Sequence, residues 1–293
     1  MDLLLADLLS LLELEQFEDQ LFRGQSQTIG SHIVYGGQVL GQALSAANHT
    51  VEGRKVHSLH AYFLRPGDVN APIVYEVDLA RDGRSFTNRR VVAIQHGRPI
   101  FNMTASFQLP EDGLEHQAMI PGVLGPEGLQ ALHDMPDEVL RELPEGIRHV
   151  TRKGPFEIRP VEPVIPLSLE SSSPVRHVWF RVVDDLPDEL DLHCNLLAYI
   201  SDLQLLRTAI LPHAIDLGDG RTQIASLDHA MWFHRPFRVD DWLLYSVESP
   251  NAAAARGFAL GRFFSADGTL VASTAQEGLI RISPKKHKPR SSS

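Results

Sequence analysis

Cysteine is nearly absent: Cys194 is the single one in 293 residues. No disulfide framework can form, and a reducing, cytoplasmic compartment is the expected home. Positive charge is also short, with 27 Lys and Arg against 37 Asp and Glu and a formal net charge of −10. A nucleic-acid partner needs a basic face for its phosphates, so that class is excluded. No apolar run approaches the roughly 18 residues that span a bilayer, and no membrane insertion is expected. The leucine-rich start, MDLLLADLLSLLELEQFEDQ, lacks a basic leader and carries Asp2, Asp7, Glu13 and Glu15. It reads as an amphipathic helix packed on the body, not as a signal peptide. The tail SPKKHKPRSSS is basic and Ser-rich, is expected to be disordered, and does not end in a peroxisomal Ser-Lys-Leu signal.

What is present is a globular composition, 43% apolar and 22% charged, able to bury a substantial core. The chain also echoes itself. HSLHAYFLRPGDVNAPIVYE (57–76) is answered by LDHAMWFHRPFRVDDWLLYS (227–246), and an offset of 170 residues carries Phe63, Arg65, Pro66, Tyr75 and Val77 onto Phe233, Arg235, Pro236, Tyr245 and Val247. The next hairpin continues the match with one residue added, which sets Ala105 against Gln276. A period this long marks a duplicated domain, not a solenoid.

Each copy opens with a helical segment, GGQVLGQALSAA in one and NLLAYISDLQLL in the other. Strand-like runs separated by short turns follow, near 57–65, 72–80, 85–96 and 98–108, then near 223–234, 242–249, 254–265 and 269–282. Short connections imply an antiparallel sheet, wrapped around one apolar helix per copy, an α+β unit present twice. The expected division is an N-terminal repeat over 1–112, a Pro/Gly-rich linker with a short helix over 113–154, a C-terminal repeat over 155–284 and a tail over 285–293.

The second helical segment carries Asp202 inside an apolar run at helical spacing. A carboxylate taken from water without partners costs several kcal/mol, so this aspartate needs an occupation.

Segments FRGQS (22–26), YGGQVLGQAL (35–44), FLRPGD (63–68), SFTNRR (85–90), HAMWFHRPF (229–237), WLLYSVES (242–249) and STAQEG (273–278) together resemble the type II acyl-CoA thioesterase family, thioesterase B. The resemblance spans nearly the whole chain and is weakest in the linker and tail. It implies a double hotdog fold, hydrolysis of fatty acyl-CoA to free acid and coenzyme A, no metal or other cofactor, and a homodimer or homotetramer. It also implies an aspartate, a threonine and a glutamine that hold the attacking water. These fall on Asp202 in YISDLQLL, Ser226 in IASLDHAMW and Gln276 in STAQEG. Serine replaces the family's threonine, keeping the hydroxyl and losing the methyl that restricts its rotamer. The apolar surroundings of Asp202 should raise its pKa and make it a better base. Gly36, Gly37 and Gln38, opening the first helix, are offered as oxyanion or acyl contacts. The segment Gly36–Ala47 has no acidic residue, so one active site per chain is expected, at the seam between halves.

Other residues invite blander readings. His57 and His60 lack a nucleophile partner and read as strand or interface histidines. Asp228 and His229 are adjacent in a strand and point to opposite faces, which argues against a metal site shared with His234. Arg65 and Arg235 read as turn or seam residues before proline, and Cys194 as a buried thiol. The GGQVLGQ glycines lack the βαβ setting of a dinucleotide site. Two alternatives remain open on the residues alone: a hotdog hydratase or dehydratase, which needs a histidine paired with the aspartate and finds none in LQLL after Asp202, and a non-catalytic acyl-CoA sensor, against which the retained Asp202, Ser226 and Gln276 count.

Overall fold

The computed structural model describes residues 4–136, 138, 140, 154–163, 171–215 and 221–283; the predicted tail, and the linker from 141 to 153, lie outside the described residues. The first half contributes α1 (Leu5–Leu12), β1 (Glu15–Glu18), β2 (Leu21–Gly24), α2 (Gly36–Asn48), β3 (Lys55–Phe63), β4 (Ile73–Asp82), β5 (Phe86–Gln95) and β6 (Arg98–Gln108). The second contributes β7 (Phe156–Pro160), β8 (Val175–Val182), α3 (Leu190–Ser201), α4 (Leu205–Ile210), β9 (Thr222–Ser226), β10 (Asp228–Phe233), β11 (Leu243–Ala253), β12 (Arg256–Ser265) and β13 (Leu270–Ile282).

Among the described residues these strands make one antiparallel sheet in the order β1-β2-β4-β5-β6-β3-β10-β13-β12-β11-β8-β7, with β9 also on β13. The order is palindromic about the β3–β10 seam, where Ala230 faces His60 and Met231 faces Leu59. The predicted repeat is therefore a structural one, and each half wraps one buried helix. Residues Gly37–Ala47 of α2 and His193–Ser201 of α3 are buried throughout. Side chains inside the sheet alternate as a half-buried strand requires: along Tyr245–Ser249 buried and half-buried positions take turns, and from Pro250 the strand is exposed. The tight β5–β6 hairpin turns through His96 and Gly97, both at positive φ (49° and 70°), as a two-residue turn matching the sheet twist demands.

The two helices pack against each other without intervening side chains. A β-carbon on Gly37 would collide with the Tyr199 carbonyl, and one on Gly41 would stand 3.0 Å from that of Asn195. Residue numbers run in opposite directions along this contact, so the N-terminus of α2 lies at the C-terminus of α3. That juxtaposition positions everything below.

Several expectations need correction. The apolar run Asn195–Leu206 is not one helix: α3 stops at Ser201, Asp202 is its C-cap (φ −73°, ψ −9°), and the chain turns before α4. Tertiary bonds end it there, since the Tyr35 hydroxyl donates to Tyr199 O (2.9 Å) and the Tyr245 hydroxyl to Ser201 O (2.9 Å), occupying carbonyls that a further turn would use. The strand expected over 223–234 is two, broken at Leu227. The N-terminal helix is eight residues and gives way to the β1–β2 hairpin. Within the described part of the linker stand two 3₁₀ turns, Pro126–Gly128 and Leu132–Asp134, and then helical residues at Glu138 and Leu140, where the short helix is expected.

Candidate active site

Three elements bring Asp202, Ser226 and Gln276 together. The end of α3 supplies Asp202, the end of β9 supplies Ser226, and the middle of β13 supplies Gln276. The Gln276 Nε2 donates to Asp202 Oδ1 (2.8 Å) and to Ser226 Oγ (2.6 Å), and Ser226 Oγ donates to Asp202 Oδ1 (3.3 Å). The Gly37 backbone N–H, at the positive end of α2, donates to the same carboxylate. The residues offered from the sequence as one site thus form a closed hydrogen-bonded triangle.

A β-bulge makes this possible. Ser226 faces Gly278 while Ala230 faces Ala275, so one residue, Leu227, is extra on its strand. Residues three apart in a regular strand point to opposite faces; the inserted residue restores Ser226 and His229 to the same face as Gln276. The Asp228 carboxylate closes the bulge by accepting from the Glu277 N–H at 2.7 Å. Asp228 is therefore a backbone clamp.

Burial dominates the electrostatics of Asp202. Desolvation pushes its pKa up from 3.8 to about 6, against the pull of Gln276, Ser226 and the Gly37 N–H. A carboxyl at about 6 is roughly nine-tenths ionised at pH 7, yet far more basic than an exposed aspartate. Gly36 lies alongside: a β-carbon there would stand 2.6 Å from Asp202 Oδ2 and 2.9 Å from the Phe63 ring. Gln38 does not join the site, because its side chain is buried and bonds Gln25 O (3.1 Å) and the Gln27 N–H (3.2 Å), holding the loop before α2.

Sequence reasoning missed one neighbour. The His229 ring is fully buried, with Nδ1 3.3 Å from Gln276 Oε1 and Nε2 3.0 Å from Ser201 Oγ. It comes from a strand, so helical spacing after Asp202 had no means of finding it. Its contacts are to Gln276 and Ser201, which distinguishes it from a histidine paired with the aspartate. The remaining histidines and arginines sit as read: His57 on Ser106 Oγ (2.8 Å), His60 edge-on to Trp232 across the seam, Arg65 on Pro99 O (2.6 Å) and Arg235 on Leu270 O (3.1 Å). Cys194 is buried, and burial pushes its thiol pKa up, away from nucleophilic range.

Two family models match: acyl-CoA thioesterase over residues 152–279, and acyl-CoA thioesterase N-terminal domain over 22–108. The chain belongs to the acyl-CoA thioesterase II family. It is similar to acyl-CoA thioesterase 2 of Haemophilus influenzae, at 43% identity over 282 residues, covering 96% of this chain and 99% of the relative. It is 40% identical to human acyl-coenzyme A thioesterase 8 over 286 residues, covering 94% and 89%. Among solved structures, an acyl-CoA thioesterase II from Mycobacterium marinum superposes with a TM-score of 0.76 at 41% identity, over 94% of this chain and 98% of that one. The double hotdog architecture and enzyme status of this thioesterase family member follow. Among the described residues, no helix is long and apolar enough to cross a membrane.

Proposed function

We propose that this chain hydrolyses fatty acyl-CoA thioesters by direct attack of a water that Asp202 deprotonates and that Ser226 and Gln276 orient. The observation that carries the reading is the triangle itself: a carboxylate raised to about 6, with an amide and a hydroxyl both within 3.3 Å of one of its oxygens.

The chemistry follows from these groups. Asp202 takes a proton from the water as its oxygen bonds to the thioester carbon. The tetrahedral oxyanion then collapses, the C–S bond breaks, coenzyme A leaves as thiolate and collects a proton, and the fatty acid is released. Gln276 holds the carboxylate through one N–H and Ser226 through the other, so the base and its hydroxyl neighbour stand in fixed relation before substrate arrives. Gly36 and Gly37 open α2 beside the carboxylate. Having no side chain at Gly36 lets Asp202 Oδ2 and the Phe63 ring come close to the start of α2, and the positive helix end favours charge developing there. Gln38 contributes by fixing the loop that leads into these glycines.

Association into a homodimer or homotetramer belongs to the same reading. Its support is that, among the described residues, the sheet ends at β1 and β7, and proteins commonly cover such edges by pairing or docking. A cytoplasmic site of action is likewise proposed on the single buried cysteine.

The test is release of coenzyme A, followed with a thiol reagent across a series of acyl lengths. Asp202→Asn is expected to lower kcat by about 10²-fold or more with KM little changed. Near-normal turnover by folded Asp202→Asn would overturn the assignment of the base.

A further inference from the structure

We propose that His229 is a positioning residue for this hydrolysis, fixing which way the Gln276 amide faces. The inference rests on the reading of Asp202 as the base.

The carboxylate selects the assignment. A carboxylate only accepts, so the amide nitrogen of Gln276 must face Asp202. Its oxygen then faces His229, and Nδ1 of that ring must carry the proton to donate across 3.3 Å. Full burial keeps the ring neutral, so Nε2 is left to accept; the Ser201 hydroxyl, which also lies 2.9 Å from Ala198 O, then turns its one proton to Nε2 at 3.0 Å. Ser201 immediately precedes Asp202. The chain Ser201–His229–Gln276–Asp202 is therefore a closed loop of directed bonds, and every proton on the Gln276 amide has a destination.

The molecule carries its own control. The register that pairs Ala230 with Ala275 sets His229 directly opposite Gln276. At the repeat-related place in the first half stand Leu59 and Ala105, paired on β3 and β6 and both fully buried. The same fold thus accepts an apolar cross-strand pair at this position. Where the helix end carries a carboxylate, the pair is histidine and glutamine instead; where it does not, the pair is leucine and alanine. Packing alone does not call for a buried imidazole here. Without the Nδ1–H, only Asp202 and Ser226 hold the amide, and an amide that turned over would present its oxygen to Asp202. That would repel the carboxylate, raise its pKa and misplace Ser226.

His229→Leu copies the residue of the first half, His229→Asn keeps an amide N–H near the Nδ1 position, and His229→Gln reaches only toward Nε2. Each is measured for kcat, KM and the pH profile of kcat/KM, alone and with Gln276→Ala, beside Asp202→Asn. The expected result is a loss of about tenfold or more in kcat for Leu and Gln at nearly constant KM, and a rise of about half a pH unit or more in the acid limb. His229→Asn is expected to recover most of both, and in Gln276→Ala the Leu substitution is expected to cost less than about twofold more. If His229→Leu does not fold, the Asn and Gln variants decide. Equal losses for Asn and Gln, an unmoved acid limb, or losses that multiply with Gln276→Ala would overturn the positioning role. Turnover retained in Asp202→Asn would instead overturn the base, whatever His229 does.

Discussion

Asp202→Asn tests a thermodynamic consequence that is independent of the rate. An unfolded aspartyl side chain titrates near 3.8, and burial moves this one to about 6 in the folded chain. The folded state therefore prefers the protonated form, and ionisation is a destabilising event. Its contribution is absent below the unfolded pKa, grows as pH rises from about 4 to about 6, and is fully present above. A shift of about two units corresponds to about 3 kcal/mol at neutral pH, and partial exposure of the side chain reduces this to about 1–3 kcal/mol. Asparagine keeps an oxygen to accept from Gln276 and Ser226 and carries no charge. It should stabilise the protein by that amount at pH 7.5, and by only about a third as much at pH 4.5. Denaturant unfolding of both proteins at the two pH values measures it. The same carboxylate predicts that kcat/KM of the unsubstituted enzyme falls as pH drops through about 6, following loss of the ionised base. A stability difference that is zero at pH 7.5, or equal at both pH values, would refute the claim that burial sets the basicity of Asp202.

Substitutions at two further positions probe the surroundings. Gly36→Ala places a methyl 2.6 Å from Asp202 Oδ2 and against Phe63, so kcat should drop about tenfold or more as the carboxylate is displaced; unchanged kinetics in a folded variant would mean that this space is not used. Ser226→Thr restores rotamer restriction and should be neutral or up to a few-fold faster, while Ser226→Ala should lower kcat; a folded but inactive Thr variant, assayed by thiol release, would show that the serine acts differently.

The central strands were legible because alternation of buried and exposed residues is written into them, and the duplication was legible because Arg-Pro turns recur at a fixed offset. Edge elements were not. Glu15–Glu18 is exposed along its whole length, so no hydrophobic face announces it, and β7 and β8 lie outside the echoed segments. The end of α3 was hidden for a different reason: NLLAYISDLQLL continues at helical spacing past Ser201, and what stops the helix is a pair of tyrosine hydroxyls from 35 and 245. Asp202, Ser226 and Gln276 came from resemblance, since no spacing rule joins residues 24 and 50 apart on a helix end and two strands. The bulge at Leu227 was invisible too, and it decides that Ser226 and His229 share a face. Strict alternation led to Asp228 and His229 being read correctly as opposed, but gave no hint of the phase change beside them.

A palindromic sheet with one carboxylate site poses a question about its other end. The answer lies in how the two halves fill equivalent space. On β5, Arg89 stands opposite Ala105; on β13, Gln276 stands opposite Ala259. Each half thus pairs one large polar side chain with one alanine, on exchanged strands. In the second half the glutamine reaches the aspartate at the end of α3. In the first, Arg89 is 3% exposed and reaches just past the end of α2, bonding Thr50 Oγ1 (2.9 Å) and Thr50 O (3.1 Å) while pairing with Asp82 (2.8 Å). A cation at a helix C-terminus stabilises the helix and offers no base. One half therefore uses the position for structure and the other, on the function proposed above, for chemistry. Arg89→Ala should lower stability by about 1–3 kcal/mol through the lost bonds to Thr50, with Asp82 free to hydrate, and leave kcat and KM untouched. Thermal melts and the thiol-release assay, run together, separate the two effects. A folded Arg89→Ala enzyme with kcat reduced as far as in Gln276→Ala would mean that catalysis is shared between both ends of the helix pair.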